Sequence, residues 1–419
     1  MTEVFERLES NVRSYCRHFP NVFTTAEGAI LRDRSGTSYI DLLSGAGSLN
    51  YGHNNPAIIE PVIQYLRNGG VVHSLDLHTD AKASFLEAFD EAILFPRGLP
   101  YKIQFPGPTG TNAVEAALKL ARKVTGRHNV VAFTNGYHGM SLGALAATAN
   151  PAKRAGAGIP LGNTVFLPYD DYLGPDIDTA DVASRVCLGR GGGVDAPAAF
   201  IVETVQGEGG LWHCRPEWLR KIAKLARDLG ALLIIDDIQA GCGRTGTFFS
   251  FEGSGVVPDI VTLSKSLSGF GTPFSLVLLK PEFDRWAPGE HNGTFRGNNL
   301  GFVGATAAIK TYWADHRFAA EIGKKAAFLR KRLEGIAGRF PAGVASVRGR
   351  GLFAGLAFTD ASVAQALSQE LHHRGVIAET CGPNDEVLKF LPPLTIETET
   401  LDAALGLLEA SITVSAAAA

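Results

Sequence analysis

Polar side chains stand at the ends of three apolar runs in the sequence. Lys265 follows DIVTLS, Asp236 lies in ALLIIDD, and Glu203 lies near the end of AAFIVET. A buried ammonium costs several kcal/mol unless it is paired or loses its charge. No acidic residue between Asp259 and Glu282 can pair with the lysine locally. The position of Lys265 therefore predicts a reactive amine. The plain alternative is a solvated lysine in a loop.

The segment PGPTGTN precedes the helical pattern AVEAALKLARKV. Asn112 can cap this helix, and Glu115 stands at the reciprocal position of a capping box. Gly110 and Thr111 would then present free backbone N–H groups at a helix N-terminus, which is a ready site for an anion. An ordinary capped turn explains the same residues, so the segment gains weight only beside the lysine and the acid.

An amine, an acid at a strand end and an anion site together suit one ligand, pyridoxal phosphate. This cofactor has an aldehyde that forms a Schiff base with lysine, a pyridine nitrogen that must stay protonated, and a phosphate. Lys265 would take the aldehyde, Asp236 would pair with the ring nitrogen, and the helix start would bind the phosphate. The sequence therefore predicts pyridoxal phosphate as the cofactor.

A competing motif is GCGRTG at residues 241–246, which fits the G-x-G-x-x-G fingerprint of dinucleotide-binding proteins. That fingerprint opens a helix directly after a strand, whereas DIQA separates the motif from its strand and TFFSFEG follows it. Binding of a nicotinamide or flavin cofactor is therefore disfavoured. The histidines and cysteines lack the spacing of a metal site, and we predict no metal.

A sheet must position these residues, because apolar β-rich runs alternate with helical patterns. The runs are 129–135, 198–204, 231–237, 259–264 and 274–279. Strand, helix, strand with nearly continuous apolar strands predicts an α/β fold with a mostly parallel sheet covered on both faces. Such sheets bind ligands at the carboxyl ends of their strands, where the polar residues lie.

The pattern changes along the chain. After about residue 310 it turns to long helices, such as AAEIGKKAAFLRKRLEGIAG, and short strands, such as GLFAGLAF. We predict an N-terminal segment, residues 1–50, that packs with the small domain. Residues 51–310 would form the cofactor-binding large domain, and residues 311–419 a smaller α+β domain.

Composition limits the possible partners and compartment. The net charge of −3 gives no electrostatic reason to expect nucleic acid or an anionic membrane. The start, MTEVFERLES, lacks the apolar segment of an export signal, and the five cysteines show no CxxC spacing. We therefore expect a cytoplasmic protein with reduced thiols.

Several segments resemble the class III aminotransferases, the ornithine and 4-aminobutyrate transaminase group of fold-type I pyridoxal phosphate enzymes. These are LLIIDDIQAGCGRTG, DIVTLSKSLSG, VETVQGEGG and HNGTFRGNN. Longer stretches, including GAGSLNYGHNNP and QFPGPTGTNAVEAALKLARKVTGR, are similar to the diaminobutyrate:2-oxoglutarate transaminases of the ectoine pathway. The likeness runs from about residue 10 to residue 410. It implies transfer of the amino group of L-glutamate to L-aspartate 4-semialdehyde.

The resemblance implies roles for the residues that match the family's cofactor site. Lys265 would bind the cofactor and carry a proton to and from the substrate carbon, and Asp236 would hold the pyridinium proton. Gln239 would contact the ring hydroxyl, and Tyr137 would stack on the ring, although a core aromatic is its plain alternative.

The phosphate contacts imply an oligomer. Gly110 and Thr111 would bind the phosphate of their own subunit, and Thr294 would reach the phosphate of a neighbouring subunit. A contact of this kind implies a homodimer or a dimer of dimers.

Two departures from the ornithine-type pattern concern the amino acid and keto acid substrates. An arginine that binds the carboxylate beside the reacting carbon is replaced here by Lys389, whose point charge should give a looser clamp. Glu208 matches the acid that pairs with that arginine when an ω-amine enters, and Glu203 is a further candidate substrate residue. Met140 replaces an arginine for the distal carboxylate of the keto acid. The sequence does not say what holds that carboxylate instead.

Three alternatives stay open. The chain could be another ω-amino acid transaminase, of the ornithine or 4-aminobutyrate type, a nicotinamide oxidoreductase, or a scaffold that binds no cofactor. An amino-donor panel and an absorbance spectrum discriminate among them. The sequence does not show whether diaminobutyrate would serve ectoine, siderophore or antibiotic synthesis.

Overall fold

The computed structural model describes residues 3–340 and 343–418. The strands, in chain order, are β1 Phe23–Glu27, β2 Ile30–Asp33, β3 Ser38–Asp41, β4 Lys102–Gln104, β5 Val130–Phe133, β6 Thr164–Leu167, β7 Ala199–Val202, β8 Val205–Gln206, β9 Trp212–His213, β10 Leu232–Asp236, β11 Ile260–Leu263, β12 Leu276–Leu279, β13 Val344–Arg350, β14 Phe353–Phe358, β15 Val376–Ile377, β16 Glu379–Cys381 and β17 Val387–Phe390. The largest sheet has seven strands in the spatial order β4-β12-β11-β10-β7-β5-β6. Its pairings are parallel from β11 to β6, whereas β12 is antiparallel to both β11 and β4. The predicted α/β fold with a mostly parallel sheet is confirmed.

All the predicted strands are present, and each is shorter than predicted by up to two residues at an end. The strands β5, β7, β10, β11 and β12 are buried along their whole length, which explains their continuous apolar sequences. The two edge strands, β4 and β6, were not predicted. Both are short and partly exposed, so their sequences lack that continuous apolar signal.

The helices are α1 Glu3–Leu8, α2 Tyr15–His18, α3 Ser44–Gly47, α4 Pro56–Arg67, α5 Asp80–Phe89, α6 Gly110–Thr125, α7 Leu142–Ala146, α8 Pro151–Ala155, α9 Thr179–Leu188, α10 Pro216–Asp228, α11 Asn299–Tyr312, α12 Arg317–Arg339, α13 Ala361–His373 and α14 Thr398–Ala418. Helix α10 begins at a proline, whose fixed φ suits the first helical turn. It buries Trp218, Leu219 and Ile222 against β7 and β10. In the described part of the chain, no helix has both the length and the apolar character that crossing a bilayer requires.

Two smaller sheets involve the C-terminal part of the chain. One is antiparallel, in the order β13-β14-β17-β16, and it carries Lys389 on β17. The other, β1-β2-β3-β15, joins residues 23–41 to residues 376–377. The domain boundaries near residues 50 and 310 stay a prediction.

Candidate active site

Lys265 follows β11 directly and begins a short 3₁₀ helix, Lys265–Ser268. Its φ of 48° is in the left-handed region, which is unfavourable for a residue with a Cβ atom. The Nζ atom donates a hydrogen bond to the carbonyl oxygen of Ala46 at 2.8 Å. Burial lowers the pKa of Lys265, so at a given pH a larger fraction of this amine is neutral than in a surface lysine.

Asp236 ends β10 next to β11, and three groups hold its buried carboxylate. Its Oδ2 lies 2.7 Å from Nδ1 of His138, which donates when Nδ1 carries the proton. Its Oδ1 accepts from the hydroxyl of Thr262 at 3.2 Å and from the N–H of Ile238 at 3.3 Å. His138 was not among the predicted site residues, although it fixes the orientation of the carboxylate.

Asp237 occupies a different environment from Asp236. Its Oδ2 accepts a hydrogen bond from the N–H of Ser250 at 3.0 Å. Burial raises the pKa of Asp237 to about 7. The cavity that contains Lys265 is lined by Asp236 and not by Asp237.

Helix α6 begins at the same cavity, but its cap differs from the prediction. The helix begins at Gly110, so its N-cap is Thr109 and not Asn112. The N–H and the hydroxyl of Thr109 both donate to Oδ1 of Asn112, at 3.2 and 2.8 Å. Glu115 is not part of a capping box. Its Oε1 accepts from the hydroxyl of Ser141 at 2.6 Å and from the N–H of Ala144 at 3.0 Å. The predicted cap was wrong because the helix starts one turn before the point at which the apolar periodicity of its sequence begins.

Gly110 and Thr111 still occupy the first turn of α6, where backbone N–H groups have no partner within the helix. Little space surrounds them. A Cβ atom at Gly110 would lie 3.0 Å from Ile238 Cδ1, and a Cβ atom at Gly139 would lie 2.5 Å from Thr111 Oγ1. The glycines therefore let the helix start, the Gly139 loop and the neighbouring chain come close together.

A cavity of about 320 Å³ brings most of the predicted cofactor residues together. Those that line it are Gly110, Thr111, Tyr137, Asp236, Gln239 and Lys265, together with Glu203, which was predicted as a substrate residue. Glu203 accepts a hydrogen bond from the N–H of Tyr137 at 2.8 Å and thereby holds the backbone that carries this ring. Burial, and then the charge of Asp236, raise the pKa of Glu203 well above its ordinary value.

The side chain of Lys389 is fully buried between two carboxylates. Its Nζ lies 2.9 Å from Oε1 of Glu208 and 2.8 Å from Oε1 of Glu379, which is its Cα partner across β16 and β17. Gln239 donates a further hydrogen bond to Oε1 of Glu208 at 3.3 Å. Glu379 was not predicted, because only the pairing of the two strands places it beside Lys389.

The two carboxylates have opposite pKa shifts. Burial disfavours the charge of each residue in the cluster, but Lys389 and Lys265 overcome this at Glu208 and lower its pKa to about 2. Burial raises the pKa of Glu379 despite the nearby Lys389, and the charge of Glu208 adds to the effect. Burial opposes the ammonium of Lys389, yet Glu208 and Glu379 raise its pKa well above its ordinary value. Glu208 and Lys389 are therefore the charged pair, and Glu379 is the group that holds a proton most easily.

The family model described as aminotransferase class III matches residues 13–412. The chain belongs to the class III aminotransferases. The diaminobutyrate–2-oxoglutarate transaminase of Bordetella parapertussis is 55% identical over 411 residues, which cover 98% of this chain and 94% of that protein. The enzyme of the same name from Halalkalibacterium halodurans is 53% identical over 409 residues, covering 98% and 96%. A crystal structure of Toxoplasma gondii ornithine aminotransferase, with partial occupancy of PLP at its active site, has a TM-score of 0.85 and 26% identity, covering 98% of this chain and 93% of that one.

The cavity of this aminotransferase suits pyridoxal phosphate. It contains an amine with a lowered pKa, a carboxylate held by His138, a partly buried aromatic ring at Tyr137, and a helix start at Gly110 and Thr111. These match an aldehyde, a pyridine nitrogen, an aromatic ring and a phosphate. The residues present therefore fit this cofactor.

Three other predicted features contribute no group to this match. Thr294 is exposed and does not line the cavity, and its carbonyl accepts from the His73 ring at 2.8 Å. Met140 lines the cavity with 51% of its surface exposed but offers no charge to a carboxylate. In the 241–246 motif, a Cβ atom at Gly243 would lie 2.7 Å from the Trp313 ring. This motif therefore packs against the core at Gly243.

Proposed function

We propose that this aminotransferase converts L-glutamate and L-aspartate 4-semialdehyde to 2-oxoglutarate and L-2,4-diaminobutyrate, with pyridoxal phosphate as its cofactor. The observation that carries the proposal is the Glu208–Lys389 pair close to Lys265, since Gln239 Nε2 donates both to Glu208 and to the Ala46 carbonyl oxygen that accepts from Lys265 Nζ. A site that accepts both an α-amino acid and an ω-amine needs a cation for the carboxylate of the first substrate. A carboxylate of the protein can neutralise that cation when the second substrate binds. The names and coverage of the two close sequence relatives support the choice of substrates.

The cofactor, when bound, supplies an aldehyde that exchanges amines and a cationic ring that stabilises negative charge on the substrate carbon. Lys265 Nζ, with its lowered pKa, takes a proton from Cα of glutamate and later returns one to the terminal carbon of the second product. The carboxylate of Asp236, oriented by His138 and Thr262, would pair with the ring nitrogen and keep it protonated. The first turn of α6 binds the phosphate through its free N–H groups.

Glu208 and Lys389 distinguish the two half-reactions. The reacting carbon of glutamate carries a carboxylate, which Lys389 binds when Glu208 turns away. The reacting carbon of aspartate 4-semialdehyde, or of diaminobutyrate in reverse, carries none. Glu208 then stays on Lys389 and neutralises it. Glu203 acts by holding the Tyr137 loop at the cavity wall.

We further propose that the enzyme works in the cytoplasm as a homodimer or a dimer of dimers. The exposed position of Thr294, away from the cavity of its own subunit, supports a contact with the phosphate of a neighbouring subunit. Use of the product in ectoine or related biosynthesis is part of the same proposal. An ornithine or 4-aminobutyrate transaminase is the second candidate, because the solved structure of an ornithine aminotransferase shares the fold.

The test is an amino-donor panel on the purified holoenzyme, together with its absorbance spectrum. We expect a yellow protein, a borohydride-stable adduct on the Lys265 peptide, and faster turnover with 2,4-diaminobutyrate than with ornithine or 4-aminobutyrate. Lys265→Ala should abolish steady transamination, while Lys310→Ala, an exposed lysine on α11, should not. An adduct on another lysine would refute the site, and a preference for ornithine would refute the substrate.

A further inference from the structure

A second cavity, of about 530 Å³, lies next to the cofactor cavity. A smaller space of about 60 Å³ shares Glu208 and Lys153 with this larger cavity and shares Tyr137 with the cofactor cavity. The shared residues show that the three spaces adjoin. Tyr137 and Lys153 therefore line one intermediate space between the cavity of Lys265 and the larger cavity.

Lys153 is the one lysine or arginine among the described residues that line the larger cavity. It lies on α8, and its Nζ is 5.4 Å from the centroid of the Tyr137 ring. In the described part of the chain, no carboxylate pairs with this ammonium. The next residue differs, because the guanidinium of Arg154 donates to the carbonyl oxygens of Ala146 and Thr148 at 2.9 and 3.0 Å. Arg154 therefore holds the local backbone, whereas the charge of Lys153 is free to bind a ligand.

The two substrates share the group that such a cation would bind. In glutamate, the distal carboxylate is separated from the reacting Cα by the same number of carbon–carbon bonds as the carboxylate of diaminobutyrate is from its reacting terminal carbon. One cation at a fixed distance from Lys265 can thus serve both half-reactions. Met140 lines the cofactor cavity and carries no charge, so it leaves this task to another residue.

We propose that Lys153 determines specificity by binding the distal carboxylate of both substrates. This inference rests on the proposed function, and it divides the work between two lysines. Lys389 binds the carboxylate beside the reacting carbon, which only glutamate has. Lys153 binds the carboxylate at the other end, which both substrates have.

The test compares 2,4-diaminobutyrate with 1,3-diaminopropane, which has the same reacting amine but lacks the carboxylate. The holoenzyme, Lys153→Met and Lys153→Arg are each mixed with each amine, and single-turnover rate constants are measured from the cofactor spectrum. We expect Lys153→Met to lose about ten- to hundredfold with diaminobutyrate, the effect of one charge-assisted hydrogen bond, and less than about twofold with diaminopropane. Lys153→Arg should recover most of the loss. Lys324→Met, an exposed lysine on α12, is the matched control and should change neither rate.

Two results would overturn the inference while the proposed function stands. Equal losses on both amines would mean that Lys153 acts through the Tyr137 ring and not on the carboxylate. A carboxylate-dependent loss in His18→Gln, with none in Lys153→Met, would assign the task to the histidine that lines the same cavity. A wild-type enzyme that forms the Lys265 adduct but does not react with diaminobutyrate would instead refute the proposed function, and the inference with it.

Discussion

Replacing Glu208 with glutamine tests the proposed gate most directly. The change keeps the shape of the side chain and its contact with Gln239, but it removes the charge that faces Lys389. We predict that Glu208→Gln reacts faster with glutamate, because Lys389 is free for the substrate carboxylate. It should react more slowly with diaminobutyrate, because the ammonium of Lys389 is then no longer neutralised by Glu208 and faces a reacting carbon that carries no carboxylate.

The magnitude follows from the geometry. Lys389 is fully buried and lies 2.9 Å from Glu208, whose side chain is 25% exposed, so their hydrogen bond is charge-assisted and only partly open to water. A hydrogen bond to a charged group contributes about 1.5–3 kcal/mol, which corresponds to about a ten- to hundredfold change in a rate or binding constant. The two half-reactions should shift in opposite directions. The ratio of their rate constants should therefore change by at least about tenfold.

Glu208 is a better position for this test than Lys389. Removing Lys389 would leave the partly buried Glu208 and the buried Glu379 without their cation, and breaking a buried pair in this way costs about 3–5 kcal/mol. Such a loss would impair both half-reactions through folding. Glu379→Gln is the matched control, because it makes the same chemical change on the other side of Lys389 and leaves the Glu208 pair intact.

The assay is rapid mixing of the holoenzyme with glutamate and, separately, with diaminobutyrate, followed by the cofactor spectrum over a single turnover. Each half-reaction is then measured without the other. Equal changes in both halves for Glu208→Gln would contradict the gate. So would a ratio that shifts as much in Glu379→Gln at neutral pH. Either result would leave the cluster as a structural ion pair.

Two further predictions concern carboxylates near this site. Asp236→Asn should lower turnover by orders of magnitude while the cofactor stays bound, and near-normal turnover would contradict the role of this acid. His138→Gln should cause a smaller loss, because the carboxylate of Asp236 is then no longer held in one orientation. Steady-state kcat and the absorbance spectrum measure both effects. Because the pKa of Glu379 is raised, its ionisation at higher pH adds a negative charge beside Lys389, so glutamate binding should weaken as pH rises. Glu379→Gln should flatten this dependence of the glutamate Kd on pH, and an unchanged profile would show that another group titrates.

The sheet was predictable because its central strands are buried on both faces and their sequences are apolar throughout. Parallel strands bring their carboxyl ends to one edge, so the order of strand and polar residue in the sequence was enough to bring Lys265 and Asp236 together. His138 carried no comparable signal. Its contact with Asp236 joins residues 98 positions apart, and it depends on how the loop after β5 folds over β10.

The sequence alone did not determine how Lys389, which stands where related enzymes of the ornithine type have an arginine, contacts its neighbours. The replacement of an arginine by lysine predicted a weaker clamp, yet a lysine has a compact ammonium that can contact two carboxylates at once. The structure places Glu208 on one side and Glu379 on the other, at 2.9 and 2.8 Å. Because the pKa of Glu208 is lowered and that of Glu379 is raised, Glu208 ionises first as pH rises, and the cluster is neutral while only Glu208 is ionised. A glutamate carboxylate that displaces Glu208 from Lys389 keeps the charge around the ammonium balanced only while Glu379 holds its proton. We therefore expect the protonation of Glu379 to limit the pH range in which the proposed gate opens to glutamate.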